Sequence, residues 1–296
     1  MGAVYLAEQT EPVRREVAIK ILKIHVVSDQ VSARFEAERQ ALAVMEHPNI
    51  TKVFDAGITE AGLPYFVMER VSGVPLTEYA DAKKLSVDER IRLFIQICRA
   101  VQHAHQKGMI HRDLKPSNVL VTESDGVAVC KVIDFGIAKA TEGADAAHLT
   151  QTGVAIGTPA YMSPEQADGS GLDVDTRSDI YSLGVVLYEL LAGVLPFDTQ
   201  QYRGLALLAQ HMGADAPAPS ARVAALGAEE RTRLAALRQL DGPRLVHALE
   251  GDLDWITLKT LEKERERRYE SANAFAEDLE RHLANEPVVA SPLTGT

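Results

Sequence analysis

A carboxylate, an ammonium and a carboxamide crowd one short stretch, at Asp113, Lys115 and Asn118 of His111-Arg112-Asp113-Leu114-Lys115-Pro116-Ser117-Asn118. A second carboxylate follows in Asp134-Phe135-Gly136. Oxygen donors of this kind suit a hard divalent ion, and Mg²⁺ commonly shares such sites with substrate phosphates. Beside that metal, Asp113 is placed to accept a proton from an incoming hydroxyl. Any one of these residues alone reads as part of a polar loop. The full set at this spacing does not.

Elements must bring them together. The apolar runs Val119 to Val121 and Val127 to Ile133, split by Ser124-Asp125-Gly126, predict a β-hairpin that returns Asp134 to Asn118. Val17-Ala18-Ile19-Lys20-Ile21-Leu22 predicts a strand with one lysine inside it. From about Ser32 to Met45 the spacing of Phe35, Glu38, Leu42 and Met45 puts all four on one helix face. Glu38 then points among apolar neighbours, where an unpaired carboxylate is costly, and Lys20 is its natural partner. Further strands are expected near Thr51–Ala56 and Tyr65–Glu69. Ser86-x-x-Glu89 is a capping box opening a helix whose apolar face is Ile91, Phe94, Ile95, Cys98 and Val101. Ile180 to Leu191 is hydrophobic nearly all round, as a helix at the centre of a lobe should be.

The chain has 296 residues, 46% of them hydrophobic, enough for one large domain or two lobes. A net charge of −11 argues against a nucleic-acid or anionic-membrane surface, so a bound nucleotide needs local cations and metal. No apolar stretch is long enough to span a bilayer and no signal-peptide pattern opens the chain, which predicts a cytoplasmic piece. Cys98 and Cys130 lie in apolar runs and read as buried free thiols. His103, His105 and His111 lack the cysteine or carboxylate pattern of a metal site and read as structural.

These motifs resemble the eukaryotic-like (Hanks-type) bacterial serine/threonine protein kinases, from Met1 to about Leu283. The resemblance implies an α+β, bilobal fold. Its small β-rich lobe with hinge takes 1–72 and its larger helical lobe 73–283. An insert covers about 199–250, and 284–296 reads as linker. It also implies ATP and Mg²⁺ as cofactors, with Asp113, Lys115, Lys20 and Glu38 in catalysis and Asn118 and Asp134 on the metal. The Lys20–Glu38 pair would hold the lysine on the α/β-phosphates. Gly2 and Val4 match the end of the family's glycine-rich loop over the phosphates. The first strand and two glycines of that pattern would precede Met1, so the chain is expected to be truncated there and to be a fragment of a larger signalling kinase. The adenine pocket falls to Ala18, gatekeeper Met68, Leu120 and the hinge from Glu69 to Val71.

From Asp134 to Glu165 the chain has no apolar periodicity and reads as a long functional loop. Thr150 and Thr152 sit where relatives carry activating phosphothreonines, and Arg112 would pair with such a phosphate; loop filler is the alternative for either threonine. Thr158 is expected near Asp113 and Lys115. Glu165 would pair with Arg268, with Arg267 one residue away as competitor. Asp179 matches the aspartate that holds the catalytic-loop backbone, a role compatible with a plain helix cap. The insert, with Pro217 to Ser220 loop-like and Glu229 to Leu240 helical, reads as a solvated elaboration before a partner site. The expected partners are protein substrates with Ser/Thr acceptors, and a second copy of the chain for trans-autophosphorylation. A pseudokinase or scaffold, suggested by the incomplete glycine-rich loop, is the alternative. A small-molecule phosphotransferase fits less well, because such relatives generally lack the Ser163-Pro164-Glu165 segment and the Asp179 helix.

Overall fold

Alternation of apolar and polar residues builds the smaller sheet. The computed structural model describes residues 2–22, 35–36, 39–42, 44–135, 159–167, 174–197 and 214–290. Among them, β1 (Ala3–Gln9), β2 (Arg15–Ile21), β3 (Val53–Ile58) and β4 (Pro64–Glu69) form an antiparallel sheet in the order β1-β2-β4-β3. In β4, Pro64, Phe66 and Met68 are buried and the residues between them less so, the period of two that one covered face demands. Lys20 on β2 lies across from Val4 on one side and Phe66 on the other. Residues 35–36 and 39–42 are helical and cover this face. Phe35 meets Phe66 edge-on, 5.2 Å between ring centroids, with Leu42 and Met45 buried nearby.

Past the hinge, β5 (Val74–Pro75) leads into α1 (Leu76–Ala82) and α2 (Val87–Gln106). Both bonds of the capping box form: Ser86 Oγ accepts from the Glu89 N–H, and the Glu89 carboxylate accepts from the Ser86 N–H at 2.8 Å. The expected apolar face of α2 is buried, and Arg90 is buried with it. Its guanidinium donates to Ala80 O, Leu85 O, Leu190 O and Leu237 O and pairs with Asp81.

The expected hairpin is β6 (Val119–Ser124) and β7 (Val127–Val132), with β5 on the far edge of β6. Its turn residues Asp125 and Gly126 both have positive φ, 52° and 79°, the twist that suits a two-residue hairpin. Its open end is closed by Ile133 N–H donating to Asn118 O at 2.9 Å. After α3 (Pro164–Ala167) comes α4 (Thr176–Ala192), buried on nearly every side. The cap of α4 is Asp175, which accepts from the Arg177 N–H at 2.7 Å, so Asp179 sits inside the first turn and is not the cap.

Four expectations for the C-terminal third need correction. The stretch read as loop-like from Pro217 to Ser220 enters α5 (Pro219–Ala224), because Pro at the first helical position gives up only an N–H that would be unpaired anyway. Buried Asp254 then takes the Ser220 N–H at 2.9 Å. The described part of the insert, 214–250, is no solvated elaboration. It forms α5, α6 (Ala228–Ala236) and α7 (Gly242–Leu249), and Val223, Leu234, Leu245 and Leu249 are buried. The helix expected to reach Leu240 ends at Ala236, because Arg238 turns inward to Leu190 O and Leu191 O.

The last two helices are α8 (Asp252–Thr260) and α9 (Ala272–Leu283). The linker does not begin at 284. Buried Asp278 on α9 accepts from the Val289 N–H at 2.6 Å, the Ala290 N–H at 2.8 Å and the Tyr269 hydroxyl at 2.7 Å, so the chain stays docked through Ala290. Among the described residues no helix is long and apolar enough to cross a membrane. Asp278→Ala should lower stability by about 2–4 kcal/mol, since it strands three donors of a charged acceptor. Urea unfolding with an unchanged midpoint would show that the C-terminal strap contributes nothing.

Candidate active site

The segment from His111 to Asn118 has no regular structure until its last turn, so its backbone needs outside partners. Asp179 supplies them. Its carboxylate accepts from the His111 N–H at 2.7 Å and the Arg112 N–H at 2.8 Å, and His105 Nε2 lies 2.8 Å away. Asp179 is completely buried, which by itself would raise its pKa. The hydrogen bond and charge of His105, with the His111 contacts, outweigh burial and hold it below the usual carboxylate range. An ionised Asp179 makes His105 Nε2 the donor. Arg112 has φ 66° and Asp134 φ 61°, a region that side chains rarely occupy, so this loop and the residue after β7 are both held against strain.

His111 joins the two stretches. Its Nδ1 accepts from the Asp113 N–H at 3.3 Å, which leaves Nε2 to donate to Ile133 O at 3.0 Å. Burial pushes its pKa down, in keeping with this neutral tautomer. Its ring lies 4.7 Å from that of Phe135.

Around this frame the polar set converges. Lys115 Nζ donates to Asp113 Oδ2 at 2.9 Å. Asn118 is buried, and its Nδ2 donates to Asp113 O at 2.8 Å and Asp113 Oδ2 at 3.2 Å. With the amide turned this way, the Asn118 carbonyl oxygen is left as the acceptor end of the group. Lys20 Nζ pairs with Asp134 Oδ1 at 2.8 Å, tying β2 to the residues after β7. The lysine side chain is only 12% exposed, so the contact is shielded from water. The donors available to a cation are therefore carboxylate and carboxamide oxygens, a set that fits Mg²⁺. Among the described residues no group of three or more His, Cys, Asp or Glu forms a separate metal cluster.

Ala18 lies across the sheet from Met68, which is buried, and Glu69 ends the same strand. Glu69 Oε2 pairs with Lys131 Nζ at 3.0 Å. Val71 and Leu120 are half-buried, and Gly2 and Val4 lie at the head of β1. Glu38, Thr150, Thr152 and Thr158 lie outside the described residues, so the expected Lys20–Glu38 pair and the threonine sites have no structural description. Arg268 takes Glu165 in a two-pronged pair at 2.8 and 2.9 Å, while Arg267 pairs with Glu264.

Sequence reading passed over several of these supports. Ser178 Oγ donates to Glu165 Oε1 at 2.7 Å, and Gln166 Nε2 donates to Arg112 O at 2.8 Å. Neither has a local signal, because both partners are far apart in the chain. His105 had one: it lies six residues before His111, at the end of the helix that feeds the loop.

Comparison with known proteins adds an independent finding. A family model described as the protein kinase domain matches residues 1–225. Serine/threonine-protein kinase PknB of Mycobacterium tuberculosis is 39% identical over 293 residues, 97% of this chain and 42% of the relative. Serine/threonine-protein kinase Pkn1 of Myxococcus xanthus is 37% identical over 299 residues, 99% of this chain and 38% of the relative. A probable serine/threonine-protein kinase of Streptomyces coelicolor is 37% identical over 300 residues, 100% of this chain and 40% of the relative. The chain thus spans about two fifths of the length of these curated relatives.

The Glu165–Arg268 pair yields a pH prediction. Burial would raise the Glu165 carboxyl, but the hydrogen bonds and charge of Arg268, with Ser178, bring it down from 4.5 to about 2. A depressed carboxyl stabilises the fold fully above its unfolded pKa and loses that stabilisation as pH falls towards its folded one. Glu165→Gln should therefore cost about 3 kcal/mol at neutral pH. The deficit should shrink as pH falls from 4.5 towards about 2. Urea unfolding of both proteins at pH 7 and pH 3 measures it, and a deficit independent of pH would contradict the pairing.

Proposed function

The chain belongs to the protein kinase family, and from that premise we propose that it transfers the γ-phosphate of ATP to serine and threonine hydroxyls of protein substrates. The observation that carries this reading is the convergence of Asp113, Lys115, Asn118, Asp134 and Lys20, drawn from β2, the catalytic loop and the end of β7.

In this reading Asp113 orients the acceptor hydroxyl and takes its proton. Lys115, beside it, balances charge on the transferring phosphoryl group, and Lys20 holds the α/β-phosphates. Asn118 and Asp134 would hold Mg²⁺, which when bound neutralises charge on the phosphate oxygens. The backbone of Glu69 to Val71 meets the adenine edge in a pocket walled by Ala18, Met68 and Leu120, with Gly2 and Val4 over the phosphates. Selection of serine and threonine is supported by the names of the relatives and by Lys115 two residues after Asp113.

Phosphorylation of Thr150 or Thr152, one copy acting on another, is the proposed activating step. Arg112, whose backbone Asp179 holds, is the proposed receiver of the phosphate. Thr158 is assigned to the acceptor side near Asp113, and Glu38 to Lys20. The Glu165–Arg268 pair braces the end of the segment. The scaffold alternative rested on the incomplete glycine-rich loop. It finds no support in a chain that keeps Lys20, Asp113, Asn118 and Asp134 and whose relatives are named as kinases.

Asp113→Asn and Asp134→Asn should each lower phosphotransfer to a peptide by about a hundred-fold or more, the range for a lost general base or charge clamp. Transfer of ³²P from ATP measures it. Full activity in Asp113→Asn would sink the assigned mechanism.

A further inference from the structure

Strand β7 pairs with β6 along one edge, and among the described residues its other edge meets no strand, only a single bridge between Val132 and Ile50. Such an edge leaves a row of N–H and C=O groups in need of partners. Here side chains and a short loop stand in for the missing strand. Gln96, on α2, donates from Nε2 to Ala128 O at 3.2 Å and accepts the Cys130 N–H on Oε1 at 3.0 Å. Asn49, in the loop before β3, donates from Nδ2 to Cys130 O at 2.8 Å and to Gln96 Oε1 at 3.0 Å. The loop backbone finishes the row: Val132 N–H donates to Asn49 O at 2.8 Å, and Thr51 N–H donates to Val132 O at 3.0 Å. Every polar backbone group on this edge from Ala128 O to Val132 O is thereby paired.

We propose that Gln96 is a positioning residue for Asp134, acting by completing the open edge of β7 and so fixing where that strand delivers the carboxylate. The inference rests on the kinase reading above. Asp134 follows Val132 by two residues, at φ 61° and beyond the strand, with Ile133 bonded to Asn118 and His111 just before it and Lys20 on its carboxylate. The point from which its backbone leaves the sheet is set by the register of β7. Of the two edges of β7, one is set by the hairpin turn and the other by Gln96 and Asn49.

The residue type is dictated by the job. Bridging an acceptor at Ala128 and a donor at Cys130 takes one donor and one acceptor in one planar group, which a carboxamide has and a carboxylate lacks. Glutamate at 96 keeps the acceptor for Cys130 N–H and Asn49 Nδ2 but sets a charged oxygen against Ala128 O. Leucine removes all of it and strands the buried-side Cys130 N–H.

The test separates positioning from mere support. In a peptide-phosphorylation assay at saturating ATP, Gln96→Leu should raise the Mg²⁺ concentration for half-maximal activity by about ten-fold, the worth of one lost hydrogen bond. KM for the peptide should stay within about two-fold, because Asp113 is held separately by Asp179 and His111. Gln96→Glu should fall between Gln96→Leu and the unaltered chain. In hydrogen exchange on the chain without nucleotide, the Cys130 and Val132 amides should lose protection in Gln96→Leu by about ten-fold while the Val121 amide does not. A lower maximal rate with unchanged Mg²⁺ dependence would mean a structural role only and would overturn the proposal. If Gln96→Leu does not fold, Gln96→Glu carries the same test, with unchanged Mg²⁺ dependence again the overturning result. No phosphotransfer by the unaltered chain under any Mg²⁺ concentration would sink the kinase reading and this inference together.

Discussion

One buried carboxylate organises the rest. The backbone from His111 to Asp113 leaves the helix α2 and enters no other element, so its N–H groups have no strand or helix to join. Asp179 takes two of them, and as an anion it accepts on both oxygens in a site that excludes water. Burial alone would neutralise it, and a neutral acid would give up part of its accepting capacity. The nearby His105 and the oriented N–H groups keep the charge in place. The strain at Arg112 is tolerable for the same reason: the carboxylate rewards the loop for adopting that conformation. Asp113 is then aimed by its neighbours, with His111 under its N–H and Asn118 on its carbonyl.

A second constraint is charge. The protein as a whole is strongly acidic, which would repel a polyphosphate at long range. The site answers with two lysines, Lys20 and Lys115, each paired with a carboxylate that is itself a proposed metal ligand or proton acceptor. In these pairs the cations are shielded to different degrees from the carboxylates' own exposure: Lys20 is 12% exposed and Asp134 26%. Pairing holds both partners in the cleft. An incoming metal and phosphate can then exchange partners with groups already in position, and little side-chain entropy remains to be lost.

The sequence exposed the chemistry more clearly than the architecture that carries it. The clustering of Asp113, Lys115 and Asn118 was legible from their spacing, and the hairpin that returns the chain to Asn118 was legible from its turn residues. The capping box of α2 and the buried length of α4 were equally open to reading, since both are local patterns. What stayed hidden was long-range and polar. Gln96 carries no local signal, yet it bonds the open edge of β7. Arg90 and Arg238 are buried because several carbonyls satisfy each guanidinium, and nothing in their local sequence marks them. Asp278 gave no hint that it captures backbone from beyond its own helix. A buried polar residue is paired with groups that are distant in sequence, so no periodicity announces it.

The buried arginines also explain how the insert can belong to the lobe core. A helix ends with carbonyl groups that lack partners and with partial negative charge. At the end of α4, Leu190 O takes both Arg90 and Arg238, and Leu191 O takes Arg238. Two like charges so close repel, and Arg238 is lowered to about 9 by burial and then by Arg90, with Asp81 opposing. They stay together because the carbonyl end of the helix and the Asp81 carboxylate attract both. At the other end of α4, Asp179 lies in the first turn, where the partial positive charge of the helix favours its anion. One helix therefore stabilises a negative charge at its start, which holds the His111–Asp113 loop, and positive charges at its end, which hold the chain around Leu237 and Arg238. Loss of Arg238 would leave Leu191 O without that partner while Leu190 O keeps Arg90, and the same rigid rod carries the His111–Asp113 loop at its other end.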